Sequence, residues 1–248
     1  MSGRVTGPVL ILGATSDMAR AVARGFAAKG CAIQLAARDP AALERDRADL
    51  ETRYGVAVSL HRFDALEVEG HAGFVAALPE LPQVAISAIG LMGEQSENAA
   101  DMTRAAHVMR ANFEGPATIL GALANAMEAR GAGTLVGISS VAGERGRASN
   151  YVYGSAKAGF TAYLSGLRNR LAGRGVHVVT VLPGFVATKM TEGLDLPARL
   201  VAQPEEVAQA ILAAVERGQE VIYVRRIWRL IMAIIRAIPE TIFKKTSI

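Results

Sequence analysis

The stretch Val9-Leu10-Ile11-Leu12-Gly13-Ala14-Thr15-Ser16-Asp17-Met18-Ala19-Arg20 decides the fold of this 248-residue chain. Its four leading apolar residues predict a buried strand, and the polar turn after them opens a helical pattern. Gly13 permits a tight turn, and the following helix N-terminus offers free N–H groups and a positive dipole to a phosphate. Thr15 and Ser16 can donate hydroxyl hydrogen bonds to the same group. Because a carboxylate aimed at phosphate would repel it, we expect Asp17 to cap the helix instead.

Short apolar runs alternate with helical patterns along the rest of the chain. Most runs are apolar throughout, which is typical of parallel strands covered by helices on both faces. The predicted strands are Val9–Leu12, 31–37, 56–61, 84–88, 134–139, 176–182 and Val221–Val224, and the predicted helices are 17–29, 40–54, 66–78, 97–130, 150–173 and 204–218. The pattern predicts a single α/β domain of the doubly wound Rossmann type over 1–224, with a seven-stranded, mostly parallel sheet. An amphipathic tail follows at 225–248.

Composition argues against several classes of protein. The single cysteine, Cys31, excludes an internal disulfide framework, and its apolar neighbours favour a small buried thiol. The four histidines are scattered without carboxylates at ligand spacing, so we expect no metal site. Residues 221–248 hold six basic residues and one acidic residue, which leaves a net charge of −1 elsewhere and no argument for nucleic-acid binding. The N-terminus lacks a small-residue cleavage site, which predicts a cytoplasmic protein.

Ser140, Tyr153 and Lys157 carry the most informative chemistry. Tyr153 and Lys157 are four residues apart, so they share one face of the helix predicted over 150–173. A lysine ammonium beside a phenol favours the phenolate and lowers the tyrosine pKa from about 10. Such a tyrosine, next to a serine hydroxyl, can protonate a carbonyl oxygen while a hydride reaches the carbon. The pattern therefore predicts oxidation and reduction of a ketone and secondary alcohol pair.

The residues after the second and third strands indicate the hydride donor. Enzymes that prefer NAD(H) usually carry an acid after the second strand for the ribose 2′-hydroxyl, and Ala37 supplies none. Arg38 can pair with a 2′-phosphate, which favours NADP(H) over NAD(H), although it could also be a solvated arginine. Asp64 can accept from an adenine amino group or simply cap a turn.

With these parts in order, the chain resembles the classical short-chain dehydrogenase/reductases over almost its whole length. Members carry Ser and, thirteen residues on, Tyr-x-x-x-Lys, which matches Ser140, Tyr153 and Lys157. An Asn on the preceding helix matches Asn112. Pro-Gly after the sixth strand and a Thr beyond it match Pro183-Gly184 and Thr188.

Two departures from the family pattern affect the expected site. Only Gly13 remains of the usual Gly-x-x-x-Gly-x-Gly, with Asp17 and Ala19 at the later positions. The usual Asn-Asn-Ala-Gly after the fourth strand is Ser87-Ala88-Ile89-Gly90. The lost asparagines would have braced the central strands, so another contact must take their place.

The resemblance implies an NAD(P)-dependent oxidoreductase. Its implied catalytic residues are Asn112, Ser140, Tyr153 and Lys157, with Asn112 holding a water that links Lys157 to solvent. The expected cofactor-binding residues are Gly13, Thr15, Ser16, Asp17, Met18, Arg38, Asp64, Gly90, Lys157, Pro183, Gly184, Val186 and Thr188. Thr188 could instead cap the next short helix. We expect a mobile substrate lid over 189–200 and a homo-dimer or homo-tetramer.

A narrower resemblance concerns the substrate. The acid in the glycine turn, residues 139–148 and 152–159, and the end of the tail are similar to decaprenylphosphoryl-2-keto-ribose reductases. This resemblance implies NAD(P)H-dependent reduction of a lipid-linked keto-sugar. The alternatives are a reductase of a soluble ketone whose tail serves in oligomer assembly, and a regulator that binds NADP without turnover. Glu144, Arg145 and Arg147 are expected in a solvated loop or in contact with a substrate phosphate.

The tail is strongly apolar over 227–238. Arg225, Arg229 and Arg236 form one basic stripe on a helix of 3.6 residues per turn. Such a helix is about 18 Å long, too short for a bilayer core of about 30 Å. We expect it either to lie in the interface of an anionic membrane or to pack against the body or a second subunit.

Overall fold

The computed structural model describes residues 5–193 and 195–246, and within them a single parallel sheet of seven strands forms the centre of the protein. Residues 1–4, Leu194 of the predicted lid, and Ser247 and Ile248 of the tail lie outside the described residues. The strands in chain order are β1 (Val9–Leu12), β2 (Ile33–Ala37), β3 (Val58–Arg62), β4 (Val84–Ser87), β5 (Gly133–Ile138), β6 (Val176–Pro183), β7 (Phe185–Val186), β8 (Val201–Ala202) and β9 (Val221–Val224).

The main sheet has the order β3-β2-β1-β4-β5-β6-β9, and every neighbouring pair is parallel. The predicted Rossmann-type sheet is confirmed, and it is wholly rather than mostly parallel. The short strands β7 and β8, which were not predicted, pair with each other outside it. The strand order reverses beside β1, whose neighbours are β2 and β4, so a crevice opens at the carboxyl ends of β1 and β4.

Helices cover both faces of the sheet. They are α1 (Asp17–Ala27), α2 (Glu44–Tyr54), α3 (His71–Ala76), α4 (Gln95–Ala100), α5 (Met102–Met109), α6 (Gly115–Arg130), α7 (Tyr151–Leu171), α8 (Pro204–Arg217), α9 (Ile227–Ala237) and α10 (Glu240–Phe243). One apolar core joins the sheet to α1 and α8, and a second joins it to α6 and α7. In β1, Val9 and Ile11 belong to the first core and Leu10 and Leu12 to the second, which explains why this strand is apolar throughout.

The region predicted as one helix over 97–130 is interrupted twice. Asp101 ends α4 and caps α5, accepting a hydrogen bond from the Thr103 backbone N–H at 2.8 Å. A π-helical turn, Arg110–Glu114, then separates α5 from α6. Pro116 has no N–H to donate to the carbonyl of Asn112, and its ring would clash with that carbonyl in a regular α-helix. The wider turn relieves this conflict and sets the position of Asn112.

The tail helix α9 divides its apolar surface between the body and the outside. Trp228 (3 % exposed), Met232 and Ile235 pack against Val141 and Leu182 of the body. On the other side, Ile227, Leu230 and Ile234 are exposed. Packing against the body, one of the two expectations for the tail, therefore accounts for one face of the helix and leaves the other without a described partner. Among the described residues, no helix combines the length and the apolarity needed to cross a bilayer.

Candidate active site

Ser140, Tyr153 and Lys157 come together where β5 meets the first turns of α7. Ser140 lies two residues beyond the end of β5, and its side chain accepts from the Ala142 backbone N–H at 3.1 Å. The Lys157 ammonium nitrogen lies 5.7 Å from the centre of the Tyr153 ring. It donates to the carbonyl oxygens of Ile138 at 3.0 Å and Ile89 at 3.5 Å. The lysine thus links α7 to the ends of two neighbouring strands.

The surroundings shift the pKa values of both titrating groups. Lys157 is only 2 % exposed, and burial lowers its pKa to about 7. Burial of the phenol raises the pKa of Tyr153 to about 12, although hydrogen bonding to Ser140 acts in the opposite direction. The sequence predicted a lowered pKa for Tyr153 because of a neighbouring ammonium. In the structure, desolvation outweighs the effect of the ammonium, because burial disfavours the charged forms of both the Tyr153 phenol and the Lys157 amine.

Asn112 braces the loop that follows β4. Its amide nitrogen donates to the carbonyls of Leu91 at 2.5 Å and Val108 at 2.8 Å, and its oxygen accepts from the Leu91 N–H at 3.2 Å. A Cβ at Gly90 would lie 3.4 Å from this oxygen and 3.7 Å from the Lys157 nitrogen, so both side chains converge on the same loop. These contacts brace the loop in place of the family's missing asparagines.

The glycine turn after β1 forms with one change from the prediction. Gly13 has φ +76°, in the left-handed region that favours glycine. Ser16, not Asp17, caps α1, accepting from the Ala19 N–H at 3.2 Å from an extended backbone conformation. Asp17 is the first helical residue, and its carboxylate accepts from the Lys189 backbone N–H at 3.2 Å. The cap prediction for Asp17 was wrong because its side chain points across to the start of the predicted lid.

Three adjoining clefts run along the carboxyl ends of the strands, and we name each by a feature of its wall. The β1–β4 cleft, about 270 Å³, lies beside Arg38, and the Lys157 cleft, about 200 Å³, lies beside that lysine. The Trp228 cleft, about 110 Å³, lies beside that tryptophan. The first two share Thr15, Ser16 and Gly90, and the last two share Tyr153 and Thr188, so the clefts form one groove. Every residue predicted to bind a cofactor lines this groove.

Arg38 and Asp64 are two of the predicted residues that line the β1–β4 cleft. Arg38 is exposed there and forms no hydrogen bond or ion pair with the described residues, so its guanidinium is available to an anion. Asp64 accepts from the Leu66 backbone N–H at 3.0 Å, which is the turn cap that the sequence offered as the alternative. It lines the same cleft. The start of α1, where backbone N–H groups lack partners within the helix, lies at the same end of the groove, because Thr15 and Ser16 line that cleft.

The other end of the groove contains a contact that sequence reasoning missed. A Cβ at Gly184 would lie 1.9 Å from the Trp228 indole, so only glycine permits this approach. The indole also packs edge-on against Phe185, with ring centres 5.2 Å apart. Trp228 thereby forms a wall of the cleft that contains Pro183, Val186 and Tyr153. The available signal was a lone tryptophan shortly after the last strand, but nothing in the sequence pairs it with Gly184.

The segments flanking this cleft make defined local contacts. Thr188 begins a short 3₁₀ turn, Lys189–Thr191, and its N–H donates to the Thr191 hydroxyl at 3.2 Å, so it occupies the predicted capping position. Arg145 forms an ion pair with Glu240 at 2.6 Å, and the Glu144 carboxylate accepts from the Tyr223 hydroxyl at 2.8 Å. The loop expected to be solvated is instead packed between the groove and the tail.

A parallel, doubly wound sheet with a phosphate-binding turn after its first strand is the Rossmann-type arrangement. Ser140, Tyr153 and Lys157 at its carboxyl edge are groups suited to an oxidoreductase that acts on a carbonyl. Comparison with known families narrows this class. The sequence profile of the short chain dehydrogenases matches residues 8–197, and the chain belongs to that family.

Curated relatives agree with this assignment, and a solved structure shares the fold. The chain is 37 % identical over 241 residues to an uncharacterized oxidoreductase of Mycobacterium tuberculosis (strain CDC 1551 / Oshkosh), covering 96 % of each protein. It is 38 % identical over 242 residues to an uncharacterized oxidoreductase of Streptomyces coelicolor, covering 96 % of this chain and 94 % of the relative. A short chain dehydrogenase of Burkholderia cenocepacia J2315, solved in complex with NADP, superposes with a TM-score of 0.83 at 22 % identity, covering 98 % of each chain.

Lys157 gives the stability of the fold a pH dependence of definite sign. Its pKa is about 7 in the folded protein against 10.5 in the unfolded chain, so between these values the unfolded chain alone holds the proton. Raising the pH from about 7 to about 10 should increase the free energy of unfolding, by up to about 1.4 kcal/mol per pH unit. Lys157→Met should lose this increase. Urea unfolding across the range measures it.

The exposed Lys244 provides the matched control, because Lys244→Met removes the same charge from the surface. Its unfolding free energy should rise with pH as in the wild type. Equal slopes for the wild type and Lys157→Met would contradict the assigned burial effect.

Proposed function

We propose that this oxidoreductase reduces a ketone to a secondary alcohol with NADPH as hydride donor. The observation that carries the proposal is the convergence of Ser140, Tyr153 and Lys157 on a groove that runs to Arg38 and the glycine turn. Membership of the short chain dehydrogenase family supports the reaction class. A regulator without turnover would have no need of three such groups in one groove.

The residues along the groove fit NADP(H). The helix N-terminus with Thr15 and Ser16 would hold the pyrophosphate, and Arg38 would hold the 2′-phosphate. Gly90 leaves room beside Lys157, whose ammonium would hold ribose hydroxyls. The NADP complex of the Burkholderia cenocepacia relative supports this choice. When bound, NADPH supplies the hydride.

The protein itself would supply the proton that the ketone oxygen receives. A phenol with a pKa of about 12 keeps its proton at neutral pH, so Tyr153 is in the form that can donate to the ketone oxygen. The Ser140 hydroxyl would orient that oxygen. Asn112 braces the loop after β4. In this proposal it also holds a water that links Lys157 to solvent. Lys157, with a pKa of about 7, can change its charge near neutral pH.

Replacing Tyr153 by Phe tests the proposed acid. The variant removes one hydroxyl and keeps the ring, so it should lower kcat for ketone reduction by about 10²–10⁴-fold. NADPH affinity, measured by fluorescence titration, should change little. Tyr151→Phe is the matched control, because Tyr151 is 48 % exposed and lies outside the groove. Undiminished turnover in Tyr153→Phe would remove the tyrosine from the mechanism.

Replacing Arg38 by Ala tests the cofactor preference. A lost charge-assisted hydrogen bond is worth about 1.5–3 kcal/mol, so the KM for NADPH should rise roughly 10- to 100-fold. The KM for NADH, which has no 2′-phosphate, should hardly change. Arg45→Ala removes an exposed arginine outside the groove and should leave both values unaltered. If Arg38→Ala weakens NADPH and NADH equally, the residue does not recognise the 2′-phosphate.

We further propose that the ketone belongs to a polyprenyl-phosphate-linked keto-sugar presented at a membrane surface. The resemblance to keto-ribose reductases supports this, as does the outer face of the tail. That face exposes Leu230 (60 %) and Ile234 (59 %), and Arg229 on the same helix and Lys244 and Lys245 after α10 are exposed basic residues. Apolar side chains flanked by cations suit the interface of an anionic membrane. The same face could instead be covered in a homo-dimer or homo-tetramer of a reductase for soluble ketones.

Surface variants test the membrane proposal better than deletion of the tail, which would also remove Trp228 and Met232 from the core. Leu230→Glu combined with Ile234→Glu should abolish sedimentation with phosphatidylglycerol vesicles, because carboxylates would have to enter an anionic interface. Met102→Glu is the control, since Met102 is 67 % exposed on another helix. Wild-type protein that ignores these vesicles would refute the proposal. If the molecular mass of the protein in solution falls in the double variant, the exposed face of α9 is an oligomer interface rather than a membrane-binding surface.

A further inference from the structure

Within the described part of the chain, the Arg147 side chain forms no hydrogen bond or ion pair, and it lies in the part of the site where a substrate would bind. Among the described residues that line the Trp228 cleft, it is the only one with a charged side chain. Its Nε atom is buried and has no hydrogen-bond partner in the described chain. A buried donor without a partner carries a desolvation cost that a bound ligand can remove.

The neighbouring charged residues Glu144 and Arg145 form ion pairs with residues other than Arg147. The Glu144 carboxylate accepts from Tyr223 at 2.8 Å and forms an ion pair with Arg236 at 3.3 Å. Arg145 lies 4.2 Å from the centre of the Phe243 ring and pairs with Glu240. Burial lowers the pKa of Arg147, but a guanidinium remains protonated in proteins. The cleft therefore holds one positive charge that no described carboxylate neutralises.

Asn150 adds an independent polar feature to the same wall. Its Oδ1 atom is also buried without a hydrogen-bond partner, and the residue lines the cleft together with Ser140 and Tyr153. The rest of the lining is largely apolar, with Met92, Phe185 and Trp228 among its members. A few polar groups on an apolar wall are typical of sites that orient a small molecule.

We propose that Arg147 binds an anionic group, a carboxylate or a phosphate, on the ketone substrate and so directs the carbonyl toward Tyr153. The inference rests on the proposed reduction, and it adds the charge of the substrate and the residue that recognises it. The planar guanidinium can form two parallel hydrogen bonds with either anion. The Trp228 cleft then distinguishes an anionic ketone from a neutral one of the same shape.

Trp228 provides a readout that does not depend on turnover. It is the only tryptophan in the sequence and forms a wall of the same cleft. Titrating the NADPH-free protein with inorganic phosphate, and separately with acetoacetate, should give a saturable change in tryptophan fluorescence. Arg147→Ala should weaken the binding of at least one of these anions roughly 10- to 100-fold, and Arg147→Lys by less. The two titrations distinguish a phosphate from a carboxylate.

Arg145→Ala is the matched control, because it removes one positive charge from the same loop outside the cleft. Anion binding should be retained in that variant. With NADPH present, two ketone pairs extend the test: acetoacetate against methyl acetoacetate, and dihydroxyacetone phosphate against dihydroxyacetone. The ratio of kcat/KM between the charged and the neutral member should fall roughly 10- to 100-fold in Arg147→Ala.

The outcomes separate this inference from the proposed reaction. No saturable fluorescence change with either anion, or equal weakening in Arg145→Ala and Arg147→Ala, would overturn the role of Arg147 whatever the turnover. Saturable, Arg147-dependent anion binding without reduction of any ketone would uphold the anion site and overturn the proposed reaction.

Discussion

The arrangement of the site depends on a single buried amine. Lys157 projects from α7 and donates to the carbonyl of Ile138 at the end of β5 and to that of Ile89 beyond β4. These two hydrogen bonds compensate for part of the cost of taking an ammonium out of water, and the lowered pKa of Lys157 shows that the compensation is incomplete. Because one side chain joins a helix to two strand ends, the position of Tyr153 one turn earlier is fixed by the same contacts.

The parts that the sequence predicted well are those with a local cause. Strand β1 is buried on both faces, so its apolar run has no alternation to obscure it. Tyr153 and Lys157 are one helical turn apart, and that spacing alone brings them to one face. The position of Arg38 at the β1–β4 cleft follows from its place directly after β2. In each case, the residue and its structural context lie within a few positions of each other.

The parts that could not be predicted depend on contacts between distant segments or on burial. Gly184 and Trp228 approach each other only because α9 folds back over the end of β6. Asp17 reaches the backbone of Lys189, more than half the chain away, and this leaves Ser16 as the cap. The pKa of Tyr153 depends on how much of the phenol is desolvated, which residue spacing does not reveal. The π-helical turn at Asn112 had a local signal in Pro116, but the exact irregularity could not be derived from it.

The contact between Gly184 and Trp228 also places the completion of the site late in biosynthesis. The ribosome makes the glycine turn, Ser140 and Tyr153 well before α9, and domains tend to fold from the N-terminal side as the chain emerges. Until α9 is released and docks, the groove has no wall at this position, and its apolar lining, including Phe185, is exposed to other nascent chains and to chaperones. A ribosome that stalls between β9 and α9 would therefore leave a chain with every residue of the Ser–Tyr–Lys set but an unfinished pocket.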